Sequence, residues 1–198
     1  MFDLLIATNN DHKIKEYKEM FSPLGINVHS PKEFNISDEA IENGKTFEEN
    51  SLIKAKHLAD RVKMAVIADD SGLCVDALQG FPGIYSARFA KERGGNGKAN
   101  LDLIELLKRH DDKDAEFVCV ITLLNVENEP VVFKGVCKGK ILPAPVGEGG
   151  FGYDPIFYSY EGKVNFGEAS SEIKNKFSHR AKALEQLVKY LKDKKLIN

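Results

Sequence analysis

Two adjacent carboxylates follow a short apolar run in the first half of the chain. Residues 64–68 (MAVIA) are bounded and favour extended structure, so they predict a buried strand. Asp69 and Asp70 come where we expect that strand to end, followed by Ser71 and Gly72. Ligands of α/β proteins lie on the loops at strand ends. Two carboxylates there can bind Mg²⁺, and one can take a proton from water. The alternative is a turn, because Asp, Ser and Gly are ordinary turn formers.

A polar segment between the first predicted strand and the first predicted helix suits an anion. It consists of Thr8, Asn9, Asn10, Asp11, His12 and Lys13. A helix N-terminus presents backbone N–H groups and partial positive charge, and a lysine adds a point charge suited to phosphate. The glycine spacing of a Walker motif is absent. Taken alone, the segment is better explained as an Asn or Asp helix cap beside a solvated lysine.

Glu42 lies in a polar loop before a predicted helix that begins with a capping box at Thr46. Its carboxylate can bind a metal opposite Asp70. On the helix, Asn50 and Lys54 are four residues apart, so they share a face and can both reach a phosphate. The alternative is an ordinary charged helix start, where acidic residues favour the N-terminus.

Residues 147–155 (GEGGFGYDP) form a glycine-rich loop around one aromatic ring. Glycines on both sides of Phe151 allow close backbone approach, and the ring can stack on a flat ligand such as a purine. Gly152 and Tyr153 follow, and Asp154 can accept hydrogen bonds from a ligand. The density of glycine, aromatic and acidic residues favours a binding loop over a turn whose Phe fills the core.

Basic residues gather before and at the start of the last predicted helix. Lys174 comes first, and Ser178, His179 and Arg180 follow. A helix N-terminus disfavours a charged imidazole and leaves N–H donors without intrahelical partners, so these residues make a donor-rich site. A capped helix with two exposed bases is the alternative.

Composition places these motifs in an ordinary globular chain. Its 198 residues suit one domain, 42% of them are hydrophobic, and the net charge of −2 gives no general attraction to nucleic acid or an anionic membrane. No apolar run approaches membrane-spanning length, and residues 1–4 (MFDL) do not begin a signal peptide. Cys74, Cys119 and Cys137 are far apart, which predicts buried free thiols. We expect a cytoplasmic protein with no nucleic-acid or membrane partner.

The periodicity predicts strands that alternate with helices early in the chain and a hairpin later. The predicted strands are residues 2–7, 64–68, 117–126 and 131–139. The predicted helices are residues 11–21, a segment after Thr46, residues 99–109 with Leu103, Leu106 and Leu107 facing the core, and a segment after Ser178. This order favours the α/β class with a mixed sheet.

Together and in this order, the motifs resemble the inosine triphosphate pyrophosphatase family, the bacterial XTP/dITP diphosphatases. Each motif is weak by itself, but the set spans almost the whole chain and is specific. The matching segments are residues 8–10 with 13, 42–44 with 46–47 and 49–50, 67–73, 81–88, 149–155 and 178–181.

The resemblance implies an Mg²⁺-dependent enzyme. It would hydrolyse deaminated purine nucleoside triphosphates (ITP, dITP, XTP) to the monophosphate and pyrophosphate, which prevents their misincorporation into DNA or RNA. The family fold is a mixed central sheet flanked by helices, with two lobes around a nucleotide-binding cleft. The resemblance further implies a single domain over residues 1–198 and a homodimer.

The resemblance also implies residue roles. Asp70 would be the proton acceptor and a metal ligand, and Glu42 the second metal ligand, although many relatives have two acids where this chain has Ile41 and Glu42. Arg88 is a further candidate for substrate contact. The segment of residues 8–13 would hold the phosphates. The residues that would contact the rest of the substrate are Ser71, Phe151, Gly152, Tyr153, Asp154, Lys174, His179 and Arg180.

Two other functions compete with this one. A septum-type nucleotide pyrophosphatase of related fold would act on modified pyrimidines, but Phe151 with His179 and Arg180 argues against it. A nucleotide sensor without catalysis is the second alternative. Clustered carboxylates argue against a sensor, because a pure anion binder would avoid them.

Overall fold

This computed structural model describes residues 2–198. They contain seven strands and six α-helices. The strands are β1 (Phe2–Ile6), β2 (Ile26–His29), β3 (Ala65–Val75), β4 (Asp114–Leu124), β5 (Val131–Ile141), β6 (Phe157–Ser159) and β7 (Val164–Asn165). The helices are α1 (Asp11–Phe21), α2 (Phe47–Ala59), α3 (Ser86–Glu92), α4 (Asn96–Leu107), α5 (Ser171–Phe177) and α6 (His179–Asp193).

The strands form one mixed sheet in the order β2-β1-β3-β4-β5-β6-β7. Strand β1 pairs in parallel with β2 and β3, whereas β6 is antiparallel to β5 and β7. Leu4, Leu5 and Ile6 of β1 are fully buried, as expected for a parallel strand covered on both faces. The predicted α/β class with a mixed sheet is therefore confirmed.

One compact unit comprises the chain up to Asp70, Cys119–Lys134 and Ala183–Asn198. Successive strand residues point to opposite faces, so β1 and β3 contribute to two apolar layers. Leu4 and Ile67 pack in the larger layer with Tyr17 and Phe21 of α1 and the buried residues of α6. In the smaller layer, Leu5 and Val66 pack with Leu58 of α2.

The other compact unit comprises Ser71–Val118 and Gly135–Lys182. Its core is rich in aromatic rings: Phe117 lies 4.5 Å from Phe157 and 6.1 Å from Phe166, centroid to centroid. Leu103 and Leu107 of α4 pack against this group. Aromatic side chains bury large apolar areas, so these rings supply much of the driving force for folding this unit.

Strand β3 extends past its predicted end, so both adjacent carboxylates lie within it. The prediction that the strand stops before Asp69 is wrong. Leu73 and Val75 are fully buried and continue the strand into the second unit. Gly72 permits a close approach there, because a Cβ at this position would lie 2.2 Å from the carbonyl oxygen of Gly83.

Other differences are local. Leu103 and Leu107 are buried as predicted, but Leu106 is 48% exposed because successive helix residues are 100° apart and it lies beside the buried stripe. All three cysteines are thiols, and Cys74 is only partly buried. The prediction missed β2, α3, α5, β6 and β7, all of which are seven residues or shorter. None of the helices within residues 2–198 has the length and apolar content to span a bilayer.

His29, on the edge strand β2, lies between two carboxylates. Its Nε2 is 3.0 Å from Asp3 Oδ1, and its Nδ1 is 2.8 Å from Glu33 Oε2. The hydrogen bonds with Asp3 and Glu33 raise the pKa of His29, and the bond with His29 lowers the pKa of each carboxyl. The group therefore stabilises the fold most while the imidazole is charged and both carboxyls are ionised.

We predict that His29→Gln destabilises the protein more at about pH 6 than at about pH 9. A raised folded-state pKa gives stability that is fully present below the usual histidine value and is lost as the pH rises through the folded value. The carboxyl contributions change only at more acidic pH, as the pH falls through their lowered values. Urea unfolding at both pH values measures this, with the exposed His110→Gln as control. An equal loss at both pH values would contradict the prediction.

Candidate active site

Asp69 lies on the face of β3 that packs against α1. It is two residues after Ile67, which shares the apolar layer of α1, and it is 2% exposed. Its Oδ2 is 2.9 Å from Nζ of Lys13, which lies in the first turn of α1. Because a buried carboxylate needs a compensating charge, the helix that covers this face also supplies the cation.

Asp70 lies on the opposite face, which α2 covers. Asp70 is four residues after Val66 and therefore lies on the same face of the strand. Val66 packs with Leu58 of α2, and Asp70 is 6% exposed. Lys54 of α2 donates a 3.0 Å hydrogen bond from Nζ to Asp70 Oδ1. Two neighbouring carboxylates are therefore buried on opposite sides of one strand, and each is paired with a lysine from a different helix.

Burial and charge act in opposite directions on the Asp70 pair. Burial raises the pKa of the Asp70 carboxyl, although Lys54 opposes the shift. Burial also disfavours the charged ammonium, but the carboxylates of Asp70, Asp69 and Glu42 outweigh it and raise the pKa of Lys54. A carboxyl with a raised pKa is a stronger base than an exposed one, which suits proton transfer from water.

Glu42 is brought to the same cluster by the loop before α2. Its Oε2 is 3.3 Å from Nζ of Lys54. The Gly44 N–H donates to Asn50 Oδ1 at 2.9 Å, and Thr46 caps α2 by accepting from the N–H of Glu49 as predicted. The buried side chain of Asn50 thus holds the loop, and a phosphate contact of Asn50 and Lys54 stays a prediction.

The carboxylates fit a hard divalent cation. Oδ2 of Asp70 is buried and has no hydrogen-bond partner among residues 2–198, so it has an acceptor position to offer. The Glu42 side chain is 42% exposed, and its carboxylate would offer a second oxygen ligand. The described residues contain no group of three or more His, Cys, Asp or Glu side chains arranged for a metal. Carboxylate oxygens are the ligands that hard divalent cations prefer.

The predicted phosphate segment is a capped helix start beside these acids. Oδ1 of Asn10 accepts hydrogen bonds from the N–H groups of His12 and Lys13, and Thr8 Oγ1 accepts from the N–H of Asn10. Those helix amides are therefore used within the chain, which confirms the predicted asparagine cap, and contact of this segment with phosphates stays a prediction. Asn9 donates to Glu39 at 3.3 Å, and Asp11 is exposed.

A second cluster, in the other unit, surrounds the ring of Phe151. Nζ of Lys174 lies 4.7 Å from the ring centroid and Cζ of Arg180 lies 5.9 Å from it. Lys174 also donates to Asp154 Oδ2 at 2.7 Å, and Arg180 donates to Ser71 Oγ at 3.3 Å. We call these five residues the aromatic cluster. It combines a half-buried ring with two cations, which the negative face of the ring attracts.

His179 and Arg180 are placed by the start of α6. Ser178 caps this helix as predicted, because its Oγ accepts from the N–H of Ala181 at 3.1 Å. The His179 ring stacks on Phe117, with centroids 4.8 Å apart and planes inclined by 13°. Both basic side chains are buried and are therefore not the exposed bases of the alternative interpretation.

The glycine-rich loop is held from beneath by polar groups that the sequence analysis did not select. The Tyr153 hydroxyl donates to the carbonyl of Ser86 at 2.5 Å, and Asn100 Nδ2 donates to the carbonyl of Gly152 at 3.2 Å. Asp154 Oδ2 accepts from the N–H of Phe151 at 2.8 Å. The side chains of Tyr153 and Asp154 thus bond within the protein, and direct contact of either residue with a ligand stays a prediction.

Of the two supporting residues, Ser86 and Asn100, the second had a signal in the sequence. Asn100 lies between Ala99 and Leu103 on the buried stripe of α4, where a polar residue requires a buried partner. Arg88, the further candidate, is exposed and its guanidinium lies 5.3 Å from the Tyr85 ring. The described contacts therefore place Arg88 outside both clusters.

Comparison with known proteins gives a consistent result. A sequence profile of the Ham1 family matches residues 4–190. A dITP/XTP pyrophosphatase of Clostridium perfringens is 46% identical over 97% of this chain and 98% of its own length. A dITP/XTP pyrophosphatase of Bacillus cereus is 44% identical over 94% of this chain and 93% of its own length.

Solved structures give the same match. A Ham1 protein from Staphylococcus aureus superposes with a TM-score of 0.87 and 40% identity, covering 97% of this chain and 99% of that one. A HAM1 protein from Coxiella burnetii superposes with a TM-score of 0.88 and 36% identity, covering 98% of this chain and all of that one.

We predict that Tyr153→Phe loosens the glycine-rich loop. The change removes only the hydroxyl and its hydrogen bond to the Ser86 carbonyl, at a cost of about 0.5–1.5 kcal/mol in unfolding free energy. Amide hydrogen exchange of residues 149–154 should accelerate more than exchange in α4. Tyr85→Phe, at a position 49% exposed, is the control. Unchanged exchange in the loop would show that this hydrogen bond does not hold it.

Proposed function

We infer the function from one premise: the chain belongs to the Ham1 family. It hydrolyses deaminated purine nucleoside triphosphates, such as dITP and XTP, to the monophosphate and pyrophosphate. The observation that carries this conclusion is the pair of buried carboxylates, Asp69 and Asp70, each held by a lysine. A catalytic role accounts for such a costly cluster in a chain that matches dITP/XTP pyrophosphatases over nearly its full length.

We propose that Asp70 accepts the proton of the attacking water. Two observations support this role: the pKa of Asp70 is raised, and its Oδ2 has no hydrogen-bond partner among residues 2–198. Asp70 and Glu42 would hold the metal, and their two oxygen-donor groups favour Mg²⁺. When bound, the ion would offset phosphate charge. Lys13, which is paired with Asp69, and Lys54, which is paired with Asp70, would neutralise the remaining phosphate charge.

We propose that the aromatic cluster and the neighbouring His179 together select the base. Hypoxanthine and xanthine carry an oxygen at position 6, which pairs with a donor from His179, Arg180 or a backbone N–H. Adenine carries an amino group there, so donor would face donor. Guanine keeps the oxygen but adds a 2-amino group. Each buried mismatch costs about 1–3 kcal/mol, which is roughly ten- to hundredfold in selectivity.

We further propose that Asp154 and Tyr153 act by positioning. Their hydrogen bonds to Phe151, Lys174 and Ser86 support this, because they fix the ring and the ammonium. Gly152 would permit close approach of the base, since it has no side chain and its φ is +64°. The phosphate roles of Thr8, Asn9, Asn10, Asp11 and His12 remain proposals of the same kind.

The assembly and setting belong to the same proposal. We expect a homodimer, a single functional domain over residues 1–198, and a cytoplasmic location where nucleoside triphosphates are made and consumed. No nucleic-acid or membrane partner is expected, in keeping with the net charge of −2.

Turnover of a nucleotide panel tests the function. The purified protein is incubated with Mg²⁺ and dITP, XTP, dATP, dGTP or modified dUTP and dTTP analogues, and each nucleotide is quantified by chromatography. Preferential loss of dITP and XTP is expected. Preference for the modified pyrimidines would favour the septum-type activity. Binding of dITP without turnover would favour a sensor.

We predict that Asp70→Asn abolishes most turnover but leaves dITP binding. The amide keeps the shape of the carboxylate but cannot accept the proton, so kcat should fall about 10²–10⁴-fold. Steady-state kinetics and calorimetric titration with dITP measure the two effects. Asp111→Asn, at an exposed position, should match wild type. Near-wild-type kcat in Asp70→Asn would remove Asp70 as the base.

We predict that Arg180→Ala lowers the preference for dITP over dATP about ten- to hundredfold, because a donor to the 6-oxygen is lost. The ratio of kcat/KM values for the two nucleotides is the measurement. Arg180→Lys keeps the charge, and the exposed Arg109→Ala serves as control. An unchanged ratio in a folded Arg180→Ala protein would exclude Arg180 as the selective donor.

A further inference from the structure

Lys54 lies between the two side chains proposed to bind the metal. Its Nζ is 3.0 Å from Asp70 Oδ1 and 3.3 Å from Glu42 Oε2, and its side chain is only 15% exposed. One ammonium therefore bridges both carboxylates. A divalent cation that used the same two carboxylates would meet this positive charge at short range, in a place where little water screens it.

The bridge is fixed by its surroundings. Ser51 Oγ and Thr122 Oγ1 lie 2.6 Å apart in a buried hydrogen bond that ties α2 to β4. One residue before it, Asn50 holds the loop of Glu42 through the N–H of Gly44. Helix α2 therefore carries the lysine and also anchors the loop that brings Glu42 to it. The ammonium is built into the carboxylate pair and is not a mobile surface charge.

The second lysine of the site is arranged differently. Lys13 is paired with Asp69, on the opposite face of β3 from Asp70, at 2.9 Å. Its ion pair involves neither Glu42 nor Asp70, the two proposed metal ligands. The bridging position therefore distinguishes Lys54 from Lys13, although both neutralise a buried acid of the same strand.

We propose that Lys54 is an internal counter-ion of the Glu42 and Asp70 pair, which keeps affinity for the free divalent ion low and couples tight metal binding to the arrival of a polyphosphate. The phosphates would accept the ammonium and so release the carboxylates. The inference rests on the metal ligands of the proposed function. Its consequence is an enzyme that takes up its metal with the nucleotide and does not hold it beforehand.

Binding of free Mn²⁺, measured by electron paramagnetic resonance at about pH 8 without nucleotide, tests the proposal. Lys54→Met should tighten Mn²⁺ binding by about tenfold or more, because the competing charge is removed. Lys54→Arg should retain weak binding. Lys56→Met, at an exposed position of the same helix, makes the same change in net charge and should alter the affinity less than about twofold.

The outcomes separate this inference from the proposed function. Equal Mn²⁺ affinity in Lys54→Met and wild type overturns the counter-ion role, whatever the turnover of dITP. Tighter Mn²⁺ binding by Lys54→Met supports the counter-ion role. If the protein released no pyrophosphate from dITP, the proposed function would fail but this support would stand. Should Lys54→Met not fold, Lys54→Gln takes its place with the same expectation, and an Mn²⁺ affinity equal to that of the wild type overturns the proposal.

Discussion

Two neighbouring carboxylates inside a buried strand impose the constraint on which the first unit depends. Asp69 and Asp70 are nearly inaccessible, and each would be strongly destabilising without a cation beside it. Helices α1 and α2 cover opposite faces of β3, and each brings one lysine to one acid. Loss of one partner from such a buried pair costs about 3–5 kcal/mol, so the folding of this unit and its charge pattern are linked.

The second unit solves a different problem, which is to hold a half-buried ring on a glycine-rich loop. The loop gains little from regular structure, so hydrogen bonds donated by Asn100 and Tyr153 tie it to the helices beside it, and Asp154 accepts from the N–H of Phe151 within it. The ring of Phe151 then keeps Lys174 and Arg180 within range of its face. Rigid placement of flat and charged groups is what base selection requires, because selectivity comes from mismatched donors that cannot move away.

Local sequence patterns predicted what local interactions determine. The bounds of α1 and the caps at Thr46 and Ser178 follow from residues within one turn, and the structure has all three. The predicted capping box at Thr46 is only half formed, because the Glu49 carboxylate accepts from the N–H of Lys45. Tertiary partners decided the rest. Strand β3 continues because Leu73 and Val75 find a second core, and Tyr153 turns inward because the Ser86 carbonyl accepts its hydroxyl. The four-residue spacing from Asn50 predicted which face of α2 carries Lys54. The contacts of its ammonium with Glu42 and Asp70 depend on the fold, because these residues are distant in sequence.

The identity of the products formed from dITP tests the account most directly. The protein is incubated with dITP and Mg²⁺, and pyrophosphate, orthophosphate, dIMP and dIDP are measured separately from the same sample. The account predicts dIMP and pyrophosphate in equal amounts, with no dIDP at any time. Orthophosphate released together with dIDP would mean stepwise removal of phosphates and would contradict the proposed reaction.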